Sequence, residues 1–146
     1  MLIADILRDK GAKVQTTTTA TALSEAIRIL AQLRIGALLV SEDGRTIDGI
    51  LSERDIVRAL ANGESDFMSR TVGDLMTREV FCCAPESSVA SVMELMDEKQ
   101  IRHVPVTVNQ VLAGLVSIRD IVNARVREAD AERQELADYI VGSPLA

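Results

Sequence analysis

The chain has 146 residues with a formal net charge of −6, and 47% of them are hydrophobic while only 2% are aromatic. This length fits about one domain with an aliphatic core, and the acidic balance without a basic run excludes a nucleic-acid surface, since phosphate neutralisation needs clustered cations. No apolar run approaches the roughly 18 residues of a membrane span, and the acid at position 5 argues against a signal peptide, so we expect a cytoplasmic protein without membrane or nucleic-acid partners.

The first half of the chain carries the signals of a small mixed domain. A β-branched run favours an extended strand, and the apolar spacing that follows it is helical. Acidic residues at the start of the last helix of this half suit the helix dipole. The predicted elements are a strand at 16–19, a helix at 23–33, a strand at 37–40, a turn at 42–45, a strand at 47–51 and a helix at 52–61.

The second half predicts the same order of elements. A segment at 63–74, rich in Ser, Gly and Asp, joins the two halves. The last helix continues past residue 125 as a mostly charged stretch with a narrow apolar stripe, which indicates either a solvated cap or a partner surface. The predicted elements are a strand at 80–83, a helix at 88–99, a strand at 104–108, a turn at 109–110, a strand at 112–116 and a helix from Ser117.

This common order reflects a sequence duplication. Residues 49–57 return as residues 114–122 with the same residue types at a constant offset of 65 positions, and residues 35–40 return as 101–106 at an offset of 66. The period is longer than that of a solenoid repeat. We therefore predict an α+β fold made of two βαββα halves related by a pseudo-twofold axis.

The repeated elements resemble those of the CBS-domain pair, or Bateman module, of the stand-alone bacterial type. The resemblance covers nearly the whole chain and implies one CBS domain at 1–66 and a second at 67–146, which carries the extended last helix. Thr19 stands where the family's pattern has proline, so we expect a different turn there. The matching segments are the two Gly-x-x-Ser-x-Arg-Asp motifs, the Arg102–Val106 strand, and the strand segments Val14–Thr19 and Phe81–Pro85.

The second motif has the chemistry of a nucleotide site. A helix that begins at Ser117 offers free backbone N–H groups and a hydroxyl to an anion. Asp120, one turn later, has acceptor oxygens suited to the paired hydroxyls of a ribose. Arg102 and His103, from the neighbouring strand, would supply donors for phosphate.

The resemblance adds the loop at 10–14 to this site, because the family's second carboxylate works with the loop before the first strand. The cleft around Asp55 lacks the Arg-His pair, so we rank it second, as empty or as a site for a less charged ligand. The predicted main cleft contains Lys10, Lys13, Val14, Arg102, His103, Val104, Pro105, Ser117, Arg119 and Asp120. The predicted second cleft contains Ser52, Arg54, Asp55, Gly36, Ala37 and Cys83.

Simpler interpretations remain open for each residue. Ser52 and Ser117 are ordinary helix caps in many proteins, and the motif arginines can pair with nearby carboxylates. His103 is the only histidine and has no metal-ligand spacing around it, so we predict no metal site. The adjacent Cys82 and Cys83 are expected to be strand residues, one buried and one exposed, with redox sensing as the alternative.

The resulting hypothesis is a regulatory module that senses an adenine nucleotide and acts in trans on an unknown protein partner. AMP or NAD(H) is the expected ligand, ATP or S-adenosylmethionine the next candidates, and no cofactor is required. The alternatives are an adaptor protein with vestigial clefts and a nucleotide-using enzyme, for which a catalytic constellation is lacking. The resemblance also implies a homodimer through the aliphatic helix faces around Ile27, Ala31, Met93 and Met96.

Overall fold

The structure is a computed structural model that describes residues 1–63 and 66–142, and it confirms the α+β fold with two repeats. The helix at 23–33 and the strand at 37–40 match the prediction residue by residue. A 3-10 turn at Phe67–Ser69 lies between the repeats. The helices are α1 (Ile3–Lys10), α2 (Leu23–Leu33), α3 (Glu53–Ala61), α4 (Val72–Leu75), α5 (Val89–Lys99) and α6 (Ile118–Gly142); the strands are β1 (Thr16–Thr17), β2 (Ala37–Val40), β3 (Gly49–Ser52), β4 (His103–Val108) and β5 (Val111–Ser117).

Each repeat contains its own small sheet. In the first repeat β1 pairs in parallel with β2, and β2 pairs antiparallel with β3. In the second repeat β4 and β5 form an antiparallel hairpin. Asn109 and Gln110 connect them with φ angles of 51° and 66°, the left-handed conformation that two-residue hairpin turns require.

The strand predicted at 80–83 is not formed, and only Cys83 bridges to Val106. In the first repeat the equivalent pairing includes a hydrogen bond from the Leu39 N–H to the Gln15 carbonyl at 3.3 Å. The position equivalent to Leu39 is Pro105, 66 residues later, which has no N–H to donate. The ladder therefore cannot extend from Cys83 back toward residue 80.

The turn at Thr19 keeps the geometry of its equivalent at Pro85, contrary to expectation. The Thr21 N–H donates to the Thr18 carbonyl at 3.2 Å, just as the Ser87 N–H donates to the Ala84 carbonyl at 3.0 Å. Thr19 also forms two hydrogen bonds that a proline could not form. Its N–H and its hydroxyl both donate to the Glu42 carboxylate, at 2.9 and 2.6 Å.

The two repeats exchange short helices that the sequence pattern did not reveal. Ile3 and Ile6 of α1 are buried in the core of the second repeat. Val72 of α4, with Met76 just after it, is buried in the core of the first repeat. A cut after residue 66 would therefore separate both helices from the cores that they complete.

Helix α6 extends beyond the second core. Its buried residues are Ile121 and Ala124, in the first two turns. From Arg125 onward nearly every residue is exposed, including Leu136 and Ile140. Within the ranges 1–63 and 66–142, no helix is long and apolar enough to cross a membrane.

Candidate functional site

The duplicated motif forms the same capping box at the start of α3 and of α6. Asp55 Oδ2 accepts from the Ser52 N–H at 2.9 Å and from the Ser52 hydroxyl at 3.1 Å. Asp120 Oδ2 accepts the equivalent bonds from Ser117 at 2.8 and 3.1 Å. Both aspartates are thus held in one rotamer beside a helix N-terminus, where partial positive charge favours an anion.

A cavity of about 460 Å³ opens beside Asp55 and lies between the two repeats. This Asp55 cavity has an apolar part and a charged part. Its apolar lining comes from Ile50, Val80, Phe81, Ile101 and Ile118, and its polar lining from Gly36, Ser52, Glu53, Arg54, Asp55, Arg58, Thr77, Glu79, Lys99, Gln100, Arg102 and His103. A volume of this order is typical of small-molecule sites.

Arg102 and His103 line the Asp55 cavity, whereas the sequence grouped them with Asp120. Their backbone does neighbour the second motif, because His103 pairs with Ser117 and the Ile118 N–H donates to the Arg102 carbonyl at 2.8 Å. Both residues nevertheless line the cavity shared with the first repeat, which was ranked second. His103 is also close enough to Asp120 and Lys10 for their charges to affect its pKa.

His103 lies between the two repeats. A β carbon on Gly36 would be 3.0 Å from His103 Cε1, so a larger residue there would require the imidazole to shift by a few tenths of an ångström. Burial lowers the pKa of His103, while Asp120 opposes that shift and the Lys10 and Arg102 charges add to it. The imidazole is consequently neutral at pH 7, with one N–H donor and one acceptor nitrogen.

The charged part of the Asp55 cavity contains three arginines that have no ion-pair partner among the described residues. Arg54, Arg58 and Arg102 form no ion pair with any carboxylate in the described ranges. Arg54 donates to the Gln100 carbonyl at 3.1 Å, and the Lys99 ammonium lies 5.0 Å from the centre of the Phe81 ring. In a chain of net charge −6, such a cluster favours an anionic ligand.

The cleft at Asp120 is occupied by a side chain of the protein. Lys10 Nζ lies 2.7 Å from Asp120 Oδ2 and 3.0 Å from the Leu115 carbonyl oxygen. A smaller cavity of about 340 Å³ is lined by this ion pair together with Ile6, Asp9, Asn123 and Arg127. Of the residues predicted for the main cleft, it contains Lys10 and Asp120.

The remaining predicted residues lie outside the Asp55 cavity. Val104 and Pro105 are buried in β4, and Ala37 is buried in β2. Arg119 and Lys13 are exposed and Val14 is half-buried. None of these six residues makes a described contact that indicates a role in ligand binding.

The two cysteines differ in exposure, but they lie outside the described strands and neither is fully buried. Cys82 is exposed, and Cys83 packs against the second core. Burial raises the pKa of Cys83 to about 12 and also raises that of Cys82. Both thiols are therefore protonated at neutral pH, which disfavours redox chemistry. Within the described ranges no cluster of His, Cys, Asp or Glu side chains could hold a metal ion.

Sequence reasoning missed the cavity residues that follow α4. Thr77 donates its hydroxyl to Asp55 Oδ1 at 3.0 Å, and Glu79 and Val80 line the same cavity. The duplication offered a signal for these residues. The loop at 10–14, before the first strand of the first repeat, was grouped with the carboxylate of the second motif. By the same rule, the equivalent segment near residue 77 would be grouped with Asp55, the carboxylate of the first motif.

Comparisons with known proteins show the family and the fold of the chain. The family model for the CBS domain matches residues 3–62 and 72–127. The mitochondrial CBS domain-containing protein CBSX3 of Arabidopsis thaliana is 35% identical over 96% of this chain and 72% of its own length.

Two solved structures illustrate the structural similarity. The CBS-domain containing protein ATU1752 from Agrobacterium tumefaciens superposes with a TM-score of 0.82 at 37% identity, covering 86% of this chain and 99% of that one. The CBS domain pair of MJ0100, in complex with 5′-methylthioadenosine and S-adenosyl-L-methionine, superposes with a TM-score of 0.73 at 28% identity, covering 85% of this chain and 98% of that one.

Proposed function

Because the chain belongs to the CBS-domain family and contains two of its repeats, we propose that it is a regulatory module that binds an adenine nucleotide in the Asp55 cavity. The observation that carries this proposal is the combination of a capped carboxylate, an apolar wall and three arginines without described ion-pair partners around one cavity. These features complement the ribose, the base and the phosphate of one ligand. The adenosine ligands of the MJ0100 structure support an adenosine group here.

The ribose contact is assigned to Asp55. The Thr77 hydroxyl, 3.0 Å from Asp55 Oδ1, marks a position where a ribose hydroxyl can donate instead. A carboxylate has about four acceptor sites, and the Ser52 bonds use only Oδ2. The adenine ring would then lie against the aliphatic side chains of Ile50, Val80 and Ile118.

The phosphate contact is assigned to the arginines. Arg54, Arg58 and Arg102 can donate forked hydrogen bonds to phosphate oxygens, and neutral His103 offers one more donor. This charge favours AMP or NAD(H), with ATP as a further candidate, over S-adenosylmethionine, whose sulfonium is cationic. On this proposal the protein is a sensor that uses no cofactor, and the Ser52 and Thr77 hydroxyls position Asp55 for binding.

Replacing Arg102 by alanine should separate phosphate binding from adenosine binding. We expect the affinity for AMP to fall about 10-fold to 100-fold, since a charge-assisted hydrogen bond is worth roughly 1.5–3 kcal/mol, while the affinity for adenosine changes little. Isothermal titration with both ligands measures the difference.

The matched control for this test is Arg119→Ala, because Arg119 is exposed on α6 and lies outside the cavity. It should leave both affinities unchanged. Equal weakening of AMP and adenosine by Arg102→Ala would mean that Arg102 supports the fold and does not contact phosphate. An adaptor with vestigial clefts would bind neither ligand at all.

A second copy of the chain is the partner that the exposed face of α6 fits best. The stripe residues are spaced alternately by four and three positions, which is the heptad spacing of a two-stranded coiled coil. In a parallel pair, Arg125 of one copy would face Asp130 of the other. The stripe consists of Val122, Val126, Ala129, Arg133, Leu136 and Ile140, all exposed.

Met96, which the sequence placed in a dimer interface, is buried in the second core and cannot contact a second copy of the chain.

Leu136→Glu is expected to dissociate this dimer, because it places a charge in the apolar seam. Arg133→Leu should strengthen it, since Arg133 is the charged residue in that seam. Sedimentation equilibrium measures both effects, and Gln134→Glu, on the outer face, serves as the control. If the two seam substitutions leave the association unchanged, the stripe is a surface for a different protein.

A further inference from the structure

One ammonium group satisfies two acceptors in the Asp120 cleft. Lys10 Nζ donates to Asp120 Oδ2 at 2.7 Å and to the Leu115 carbonyl at 3.0 Å. The Asp120 side chain is 18% exposed and that of Lys10 is 38% exposed, so the pair is partly withdrawn from water. A charge-assisted bond in such a position is stronger than an exposed surface pair.

The equivalent acceptors in the first repeat have different partners. The carbonyl oxygen of Ile50, which is equivalent to that of Leu115 65 positions later, accepts from the Thr77 backbone N–H at 2.8 Å. Asp55 Oδ1 accepts from the Thr77 hydroxyl at 3.0 Å. Thr77 is short and lies at the wall of the cavity, so the space in front of Asp55 stays open.

The length of the exchanged helices explains this asymmetry. Helix α4 has four residues and α1 has eight, although in both an aspartate of the first turn accepts from the N–H of the residue before the helix: Asp5 from Leu2 and Asp74 from Thr71. The additional turn of α1 carries the chain to Lys10, whose side chain reaches back to the capped carboxylate of the second repeat. The first repeat has no such turn, and Thr77 follows directly after the end of α4.

We infer that Lys10 takes the place of a ligand in the Asp120 cleft, so that each chain binds one nucleotide, at Asp55. This inference rests on the proposed function of the Asp55 cavity. A nucleotide at Asp120 would meet the Lys10 side chain, and moving that side chain aside would cost its bonds to Asp120 Oδ2 and to the Leu115 carbonyl. Arg54, Arg58 and Arg102 line the Asp55 cavity, so they would not offset that loss.

Equilibrium dialysis with labelled AMP, carried to saturation, tests the inference by the number of molecules bound per chain. The unmodified chain should bind one AMP. Lys10→Ala should bind two, the second at least 10-fold more weakly than the first because it lacks the arginines. Lys10→Ala combined with Asp55→Ala should retain that second, weaker AMP. Arg8→Ala, which removes a neighbouring exposed cation from the same helix, should leave the number at one.

The outcomes separate this inference from the proposed function. Two AMP molecules on the unmodified chain, or one on Lys10→Ala, would overturn the role of Lys10 while leaving the Asp55 site intact. The absence of AMP from the unmodified chain and its retention by the Lys10→Ala, Asp55→Ala variant would overturn the Asp55 site and uphold the role of Lys10. If no variant binds AMP, both are wrong.

Discussion

Asp55→Ala is expected to reduce AMP affinity by about 2–4 kcal/mol, or roughly 30-fold to 1,000-fold. The loss should be large because the carboxylate is the ribose acceptor and charged hydrogen bonds are worth about 1.5–3 kcal/mol each, without full additivity. Asp120→Ala should change AMP affinity little, since Lys10 already occupies that carboxylate. Calorimetric titration of both variants measures the ratio.

Asp120→Ala is a matched control because both substitutions remove the same capping box, one from α3 and one from α6. A cap is worth about 1 kcal/mol of helix stability, so the two variants should lose comparable stability. Melting temperatures of the two variants, measured without ligand, show whether their losses of stability are comparable. Equal losses of affinity would show that the clefts are equivalent, and unchanged affinity in both would refute the nucleotide site.

Ile3→Ala is expected to lower the free energy of unfolding by about 2–5 kcal/mol, as for an interior isoleucine, although it lies only two residues from the first residue of the chain. Ile3 is fully buried in the second core, which α1 completes. Leu2→Ala is the control, because the Leu2 side chain is 44% exposed. Chemical denaturation followed by circular dichroism gives both values, and a loss below 1 kcal/mol for Ile3→Ala would mean that α1 is detached in solution.

The longer elements were predictable because local pattern determines them. The helix at 23–33 has apolar residues at helical spacing, and the hairpin turn at 109–110 lies between two apolar runs. The duplicated motifs at Asp55 and Asp120 likewise revealed both capping boxes. These features depend on residues within a few positions of each other, which a sequence displays directly.

The exchanged helices and the side-chain grouping were not predictable in the same way. Helix α4 has only four residues, too few for a periodic pattern, and its stability comes from docking on the distant first core. The Arg102 and His103 backbone pairs with the second motif while the side chains line the Asp55 cavity. Sequence spacing gives the strand neighbour, but it does not give the face to which a side chain points.

The exchange of α1 and α4 also bears on how such a chain could arise. The core of each repeat is completed by the short helix that precedes the other repeat in the chain. An ancestor with a single repeat would therefore have completed its core by donating its leading helix to a second copy, as in a domain-swapped dimer. Fusion of two such genes would convert that intermolecular swap into an intramolecular one. The longer α1 could then acquire Lys10 without a matching change in α4, which a symmetric dimer of identical subunits does not permit.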